Sequence, residues 1–351
     1  MRVVVVGGGI MGCASAYALA RAGAEVVVLE RAVPGAEAST AAAGMLAAQM
    51  EHAPDAERRA RMVAARDGYA AWARELEEAS GVRTGYRKSG ALHVAFDDAE
   101  AETIVADVRA QTAAGLRAEW VEPSRLGALE PALAPGLRGA AWFPDEAQVE
   151  PAEVLRALVV ANARLGVETM TGVAVRDLLR DGDRLSGVLT DAGRVLGDAV
   201  VLAAGSWSSL VPGWPSALPE VRPVKGHMAL LEERPPRVRS ILAGRGGYVV
   251  PRGDGRVVCG STMEHVGHRR EVTADGVRAV LGKACALAPG LGEAELVRVW
   301  CNFRPYSGDG PPLVGASPVP GLFLATGHHR NGMLLGPETA ELVRDAIFSA
   351  A

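Results

Sequence analysis

Six residues near the start of the chain, Gly7-Gly8-Gly9-Ile10-Met11-Gly12, satisfy the G-x-G-x-x-G pattern between an apolar run at 3–6 and an alanine-rich segment of helical period at 10–22. That setting suits the pyrophosphate of a dinucleotide. Gly7 makes the tight turn out of a strand, Gly9 lets the backbone approach the phosphates, and Gly12 lets helix and strand pack closely, while the helix N-terminus faces the negative charge. Glu30 closes a second apolar run 18 positions after Gly12. Its carboxylate is placed to accept hydrogen bonds from a ribose diol and disfavours a 2′-phosphate, which argues against NADP. The motif alone does not separate FAD from NAD.

A second kind of chemistry is signalled by Arg304, which follows Val299-Trp300-Cys301-Asn302-Phe303 and precedes Pro305. An unpaired guanidinium is costly in so apolar a setting, so an anionic partner is expected. It is either a carboxylate on a substrate, gripped in bidentate fashion, or one of the chain's own 41 acids. Tyr248, within a β-like run, offers a hydroxyl to the same carboxylate or is simply a half-buried strand tyrosine. His328 and His329 are adjacent, which is poor spacing for two ligands of one metal, and Cys13, Cys259, Cys285 and Cys301 form no C-x-x-C pair. Neither a metal site nor a redox dithiol is expected.

These groups need a scaffold, and the patterning supplies one of α/β type. Runs at 3–6 and 26–29 flank a helical segment, giving a βαβ unit. Helices are predicted over 56–80, 99–114, 151–165 (opened by Pro151) and 337–348, and strands over 90–96, 167–170, 199–203 and 322–325. Between 221 and 304 the character turns to β, with strands at 228–231, 248–250 and 257–260. A β-rich block between α/β segments implies a chain that enters and leaves a second unit more than once. The expected architecture is a discontinuous Rossmann-type FAD-binding domain (1–85, 150–215 and 305–351) with an inserted α+β substrate domain on an antiparallel sheet (86–149 and 216–304).

Composition narrows the partners. The 351 residues are 49% hydrophobic and carry a formal net charge of -4, enough to bury a large core and without a basic surplus for nucleic acid. Absence of a secretory pattern, of a membrane-length apolar run and of paired cysteines points to a soluble cytoplasmic protein.

Further along, Ser39-Thr40-Ala41-Ala42-Ala43-Gly44-Met45-Leu46, Ala203-Ala204-Gly205-Ser206-Trp207-Ser208, Pro223-Val224-Lys225-Gly226, Tyr248-Val249-Val250-Pro251-Arg252, Thr262-Met263, Phe303-Arg304-Pro305 with Asp309-Gly310, and Gly327-His328-His329-Arg330-Asn331-Gly332 follow in order. With the opening glycines they resemble, almost end to end, the D-amino-acid oxidase superfamily, most closely the glycine oxidases of thiamine biosynthesis. The resemblance implies FAD. Gly7, Gly9, Ile10, Met11, Gly12, Glu30 and Arg31 would hold its ADP half, with Val173 on the adenine. Ser39, Thr40, Ala43, Gly44, Met45 and Leu46 would follow the pyrophosphate and flavin, and Ala204, Gly205 and Trp207 would also belong to the cofactor site. His329, Arg330, Asn331, Gly332, Met333 and Leu334 would surround the isoalloxazine, where a helix with Pro337 near its first turn would aim backbone N–H groups at the anionic reduced flavin.

The resemblance also assigns the substrate side. Arg304 and Tyr248 would take the carboxylate, with Arg330 and Met263 near flavin or substrate, although Met263 is equally suited to filling a core. Gly246 stands where glycine oxidases carry a histidine, which predicts either an enlarged pocket or Arg245 turned into the vacancy. The implied reaction is oxidative deamination of glycine, an N-substituted glycine or a small D-amino acid by hydride transfer to flavin N5, with oxygen reoxidising the flavin and yielding hydrogen peroxide. A dehydrogenase with another acceptor, a tRNA-modifying flavoprotein domain and a non-catalytic flavin module are the alternatives. Sarcosine oxidases of the superfamily tether FAD to a cysteine, but that position aligns with Asn302 rather than Cys301, so non-covalent FAD is expected, in a homo-oligomer.

Overall fold

In strand Arg2–Val6 the valines alternate, Val3 and Val5 entering one core cluster and Val4 and Val6 another. The same division holds in Glu25–Glu30, with Val26 and Val28 on one face and Val27 and Leu29 on the other. Buried on both faces, these β-branched runs suit the interior of a parallel sheet. Residues 1–51, 55–308 and 310–350 are described by the computed structural model; Asp309, quoted above beside Gly310, lies outside them.

The first sheet runs in the order Leu313–Ala316, Leu322–Thr326, Ala199–Leu202, Arg2–Val6, Glu25–Glu30 and Glu168–Thr171, all neighbours parallel except the Leu313–Ala316 edge. Helices Ile10–Arg21, Ala56–Ser80, Pro151–Arg164 and Gly332–Ser349 cover one face. A meander of Val175–Asp181, Arg184–Thr190 and Gly193–Leu196 packs on the other. The carboxyl ends of neighbouring parallel strands lead into Gly7, Glu30, Ala203 and Gly327, the edge at which open α/β sheets hold ligands.

The second sheet has eight strands, ordered Glu295–Tyr306, Arg222–Glu232, Arg256–Gly260, Gly247–Pro251, Ile241–Gly244, Ala91–Ala95, Gly139–Phe143 and Glu119–Val121, antiparallel except between Ile241–Gly244 and Ala91–Ala95. One face is closed by helix Ala274–Leu287 through Val280, Ala284 and Leu287. The other presents Met228, Tyr248, Val250 and Val258 toward Ala43 and Met45. The sheet is therefore wall to the helix on one side and wall to the segment after residue 39 on the other.

The α/β class, with a mostly parallel sheet beside a largely antiparallel one, is the expected one. Helix Ala56–Ser80 has the expected bounds, and the structure shows what sets them: Asp55 accepts from the Arg58 N–H at 2.7 Å, and Gly81 terminates the helix with φ +73°. The last helix departs from its expected start at 337, beginning at Gly332 with Pro337 inside it. Only one backbone bond near the N-terminus is forgone, so the proline is tolerated. Arg222–Glu232 extends well beyond the predicted run at 228–231, and Glu295–Tyr306 is a strand that the patterning does not predict; each supplies the other's hydrogen bonds along most of its length.

Candidate active site

A cleft of about 410 Å³ runs from the carboxyl edge of the parallel sheet to the face of the antiparallel one. At its first end the glycine turn is built as its motif requires. Gly7 adopts φ +110°, and a Cβ on Gly12 would stand 3.0 Å from the Gly7 carbonyl carbon, so neither position admits a side chain. Helix Ile10–Arg21 has no side-chain cap from Gly9. Ser39 takes that role, its Oγ accepting the Ile10 N–H at 2.9 Å, while the N–H groups of Met11 and Gly12 remain among the helix's unpaired donors. Glu30 accepts from the Gly8 N–H at 2.8 Å and the Ala32 N–H at 2.9 Å, which fixes its carboxylate at the cleft. Arg31 lies over the Trp207 ring with Cζ 4.0 Å from the centroid.

At the other end a second helix begins. Asn331 precedes Gly332–Ser349, and the Leu335 N–H bonds the Asn331 carbonyl at 2.9 Å, leaving Gly332, Met333 and Leu334 without intrahelical acceptors. His329, at φ +49°, has a buried Nε2 without a hydrogen-bond partner. Burial first, then the charges of Arg304 and Arg330, push its pKa down to about 4, so the ring is neutral near pH 7. Arg330 is ion-paired to Glu51 at 2.7 Å.

Between these ends lies Arg304. Its Nη2 donates to Ser261 Oγ at 2.7 Å and its Nη1 to the Thr262 carbonyl at 3.3 Å, and among the described residues no carboxylate lies within ion-pairing distance. Tyr248 is 8% exposed, and its hydroxyl approaches Met228 Sδ at 3.1 Å. A Cβ on Gly260, directly across from Tyr248 in the sheet, would stand 2.6 Å from Cε2 of the ring and closer still to Cζ, so the glycine makes room for the tyrosine.

The cleft gathers Gly7, Gly9, Ile10, Met11, Glu30, Arg31, Ser39, Ala43, Gly44, Met45, Val173, Ala204, Gly205, Trp207, Tyr248, Arg304, His329, Arg330, Asn331, Gly332 and Met333 from segments far apart in sequence. Six others do not line it. Gly12 lies beneath the turn it packs against, Leu46 and Leu334 are core residues, and Thr40 donates to the Gly35 carbonyl at 2.6 Å. Met263 is 53% exposed. Gly246 forms, with Arg245, a two-residue hairpin turn at φ +71° and +46° between paired Gly244 and Gly247. Arg245 is held on the outside by Asp97 at 2.7 Å and Glu100 at 2.8 Å, so it does not turn into the cleft.

Sequence reasoning passes over Ser261, Glu51 and Met228, quotes Thr262 only within a motif and Asn302 only as an aligned position, and gives none of them a site role; Ser261 and Thr262 reach Arg304 only through sheet pairing. Asn302 faces the cleft, whereas Cys301 points away and donates to the Arg270 carbonyl at 3.1 Å. Among the described residues no helix is long and apolar enough to cross a membrane, and no three His, Cys, Asp or Glu side chains are grouped to hold a metal ion.

Two helix N-termini on one long cleft suit a ligand with a pyrophosphate at one place and a ring that gains negative charge on reduction at another, and a flavin dinucleotide is such a ligand. The family model described as FAD dependent oxidoreductase matches residues 2–346, and the chain belongs to that family. The bifunctional protein ThiO/ThiG of a Nostoc species is 36% identical over 351 residues, covering 98% of this chain and 52% of its own, so the chain spans about half the length of the bifunctional proteins it matches. A glycine oxidase of Geobacillus kaustophilus is 33% identical over 350 residues, covering 98% of this chain and 92% of its own. The crystal structure of glycine oxidase from Geobacillus kaustophilus aligns with a TM-score of 0.95 at 32% identity, covering 99% of this chain and 95% of that one.

The residues fit FAD. Gly9 leaves the approach to the helix open, where a Cβ would meet Ser39 Oγ at 3.0 Å. Glu30 would be an acceptor for a ribose diol, and the N–H groups of Met11 at one end and of Gly332 and Met333 at the other, all on the cleft, would be donors for the cofactor.

Proposed function

We propose that the protein oxidises glycine, an N-substituted glycine or a small D-amino acid, with water and oxygen consumed and a 2-oxo acid, ammonia or an amine, and hydrogen peroxide released. The observation that carries the reading is Arg304, a cation on the cleft oriented by a hydroxyl and a carbonyl and free of any carboxylate among the described residues. A guanidinium kept in that state calls for an anionic ligand, and its planar fork matches a carboxylate.

FAD, when bound, supplies the acceptor for the hydride leaving the α-carbon. The chain's own residues bind, orient and exclude water. Arg304 fixes the carboxylate, with the Tyr248 hydroxyl beside it, and this anchors the α-carbon in one orientation. Met45, Ala43 and Met228 form an apolar wall that limits water. Among the described residues the acids lining the cleft are all engaged: Glu30 with two N–H groups, Glu37 with Arg31 and Arg270, and Glu51 with Arg330. None is free to act as a general base, which favours an amine arriving neutral and losing hydride directly.

In this reading residues 1–85, 150–215 and 305–351 hold the cofactor and 86–149 and 216–304 the substrate. FAD is held without a covalent bond, since Asn302 rather than Cys301 faces the cleft. Under air, the FAD-loaded protein given glycine, sarcosine or D-alanine should consume oxygen and form peroxide and 2-oxo acid in equal amounts, and given D-proline should form peroxide and the cyclic imine in equal amounts. Turnover visible only with an added dye would assign another electron acceptor, and no turnover with any of them would overturn the proposal.

A further inference from the structure

The two groups that hold Arg304, Ser261 and Thr262, belong to a stretch beyond strand Arg256–Gly260 that has no helix or strand of its own. Such a stretch can orient a guanidinium only if something else fixes it. Glu264 and Lys225 exchange backbone hydrogen bonds at 2.9 and 3.0 Å, and Lys283 Nζ donates to the Ser261 carbonyl at 3.1 Å. Thr262 Oγ1 accepts the His227 N–H at 2.9 Å and donates to Glu264 Oε1 at 2.5 Å. That carboxylate oxygen also lies 2.7 Å from His227 Nδ1.

His227 is fully buried. Its Nε2 accepts the Thr273 N–H at 3.0 Å, which requires a lone pair there and puts the ring proton on Nδ1, directed at Glu264. The ring lies against Gly276 in the first turn of helix Ala274–Leu287, where a Cβ would stand 2.5 Å from Cγ and Cε1. One neutral imidazole thus joins a helix N-terminus to the carboxylate that fixes Thr262. None of His227, Thr262 and Glu264 lines the cleft.

We propose that His227, Glu264 and Thr262 form a positioning relay for Arg304, holding the Ser261–Thr262 acceptors in place so that the guanidinium meets the substrate carboxylate in one orientation. The inference rests on the reading of Arg304 as the carboxylate's partner. Its physical logic is that neutral acceptors leave the full charge of Arg304 to the ligand but grip it less firmly than an acid, so the acceptors themselves must be held. A carboxylate placed beside Arg304 would orient it and cancel the charge the substrate needs. In the relay the acid stands one residue layer back, where it orders Thr262 without neutralising the guanidinium.

The test uses FAD-loaded protein and glycolate, a non-amine analogue of glycine, titrated by its perturbation of the flavin spectrum, together with glycine kinetics. Thr262→Val should raise the glycolate Kd and the glycine KM roughly three- to tenfold, with a smaller change in kcat. Thr262→Ser should restore wild-type values, and FAD content and Tm should stay the same. Glu264→Ala should reproduce the loss, and Glu264→Gln, which keeps an acceptor for His227 and Thr262, should recover most of it. Wild-type affinity in both Thr262→Val and Glu264→Ala would overturn the relay, as would a fall in Tm or FAD content with no change in Kd for the loaded fraction. Wild-type protein that neither binds glycolate nor oxidises glycine would instead overturn the reading of Arg304, and the relay with it.

Discussion

Arg304 lies across Gly226: a Cβ on that glycine would stand 2.6 Å from Nη2 and 2.8 Å from Cζ. The two residues sit on neighbouring strands, Gly226 paired with Asn302 and Arg304 with Val224, so the guanidinium folds back over its diagonal neighbour. Gly226→Ala should push the guanidinium off Ser261 and Thr262 and reduce kcat/KM by about tenfold or more, with FAD still bound. Steady-state kinetics beside a count of FAD per chain checks this; unchanged kinetics would mean that the arginine's seat is immaterial to the reaction.

Removal of the cation itself should be more severe. Arg304→Ala should raise KM and lower kcat/KM by roughly 2–5 kcal/mol in transition-state binding, the cost of leaving a carboxylate unpaired in a desolvated site. FAD retention should be unaffected, and normal turnover by the variant would remove Arg304 from substrate binding.

Glu30 accepts the Gly8 N–H at 2.8 Å, which ties the end of its strand to the glycine turn, and in the proposed reading it also accepts from the ribose of FAD. Glu30→Ala should weaken FAD retention by losing both the ribose acceptor and the order of the turn. The ratio of FAD to protein after gel filtration measures it, and full occupancy in the variant would argue against this account of the ADP half.

The parts nearest the first helix were legible because local rules govern them. Gly7, Gly9 and Gly12 announce a turn that only glycine can make, and Asp55 and Gly81 bracket a helix whose ends are set by capping. The substrate side was legible only in outline. Pro223 and Pro305 face each other in the long pair Arg222–Glu232 and Glu295–Tyr306, a register that no local signal encodes, since proline has no N–H to give a ladder. Pro337 reads as a first-turn residue, and five helical residues before it are thereby hidden. Gly246 looked like a vacancy in the substrate wall; paired with Arg245 it makes a hairpin turn, a backbone role that an aligned side chain does not reveal.

Acid should loosen the fold through His328. This residue is 4% exposed, its Nε2 lies 2.8 Å from Thr339 Oγ1, and its Nδ1 has no partner. Burial, reinforced by the charge of Arg61, pushes its pKa down to about 3. The unfolded chain binds a proton there below about pH 6.5 and the folded chain does not, so stability is fully present above that pH and falls as pH drops toward 3. The loss should be on the order of a few kcal/mol. Tm followed from about pH 7.5 to 4.5 should fall less steeply in His328→Asn than in wild type; parallel curves would exclude His328 as the source.

The most direct test of the account is anaerobic mixing of the FAD-loaded protein with glycine, sarcosine and D-alanine, monitored by visible flavin absorbance. Hydride transfer from an amino acid anchored by Arg304 requires that at least one of them bleach the flavin without oxygen, that the colour return on admitting air with release of peroxide, and that Arg304→Ala bleach far more slowly at the same concentration. Flavin that stays oxidised with every amino acid, or that bleaches equally fast in wild type and Arg304→Ala, would contradict it.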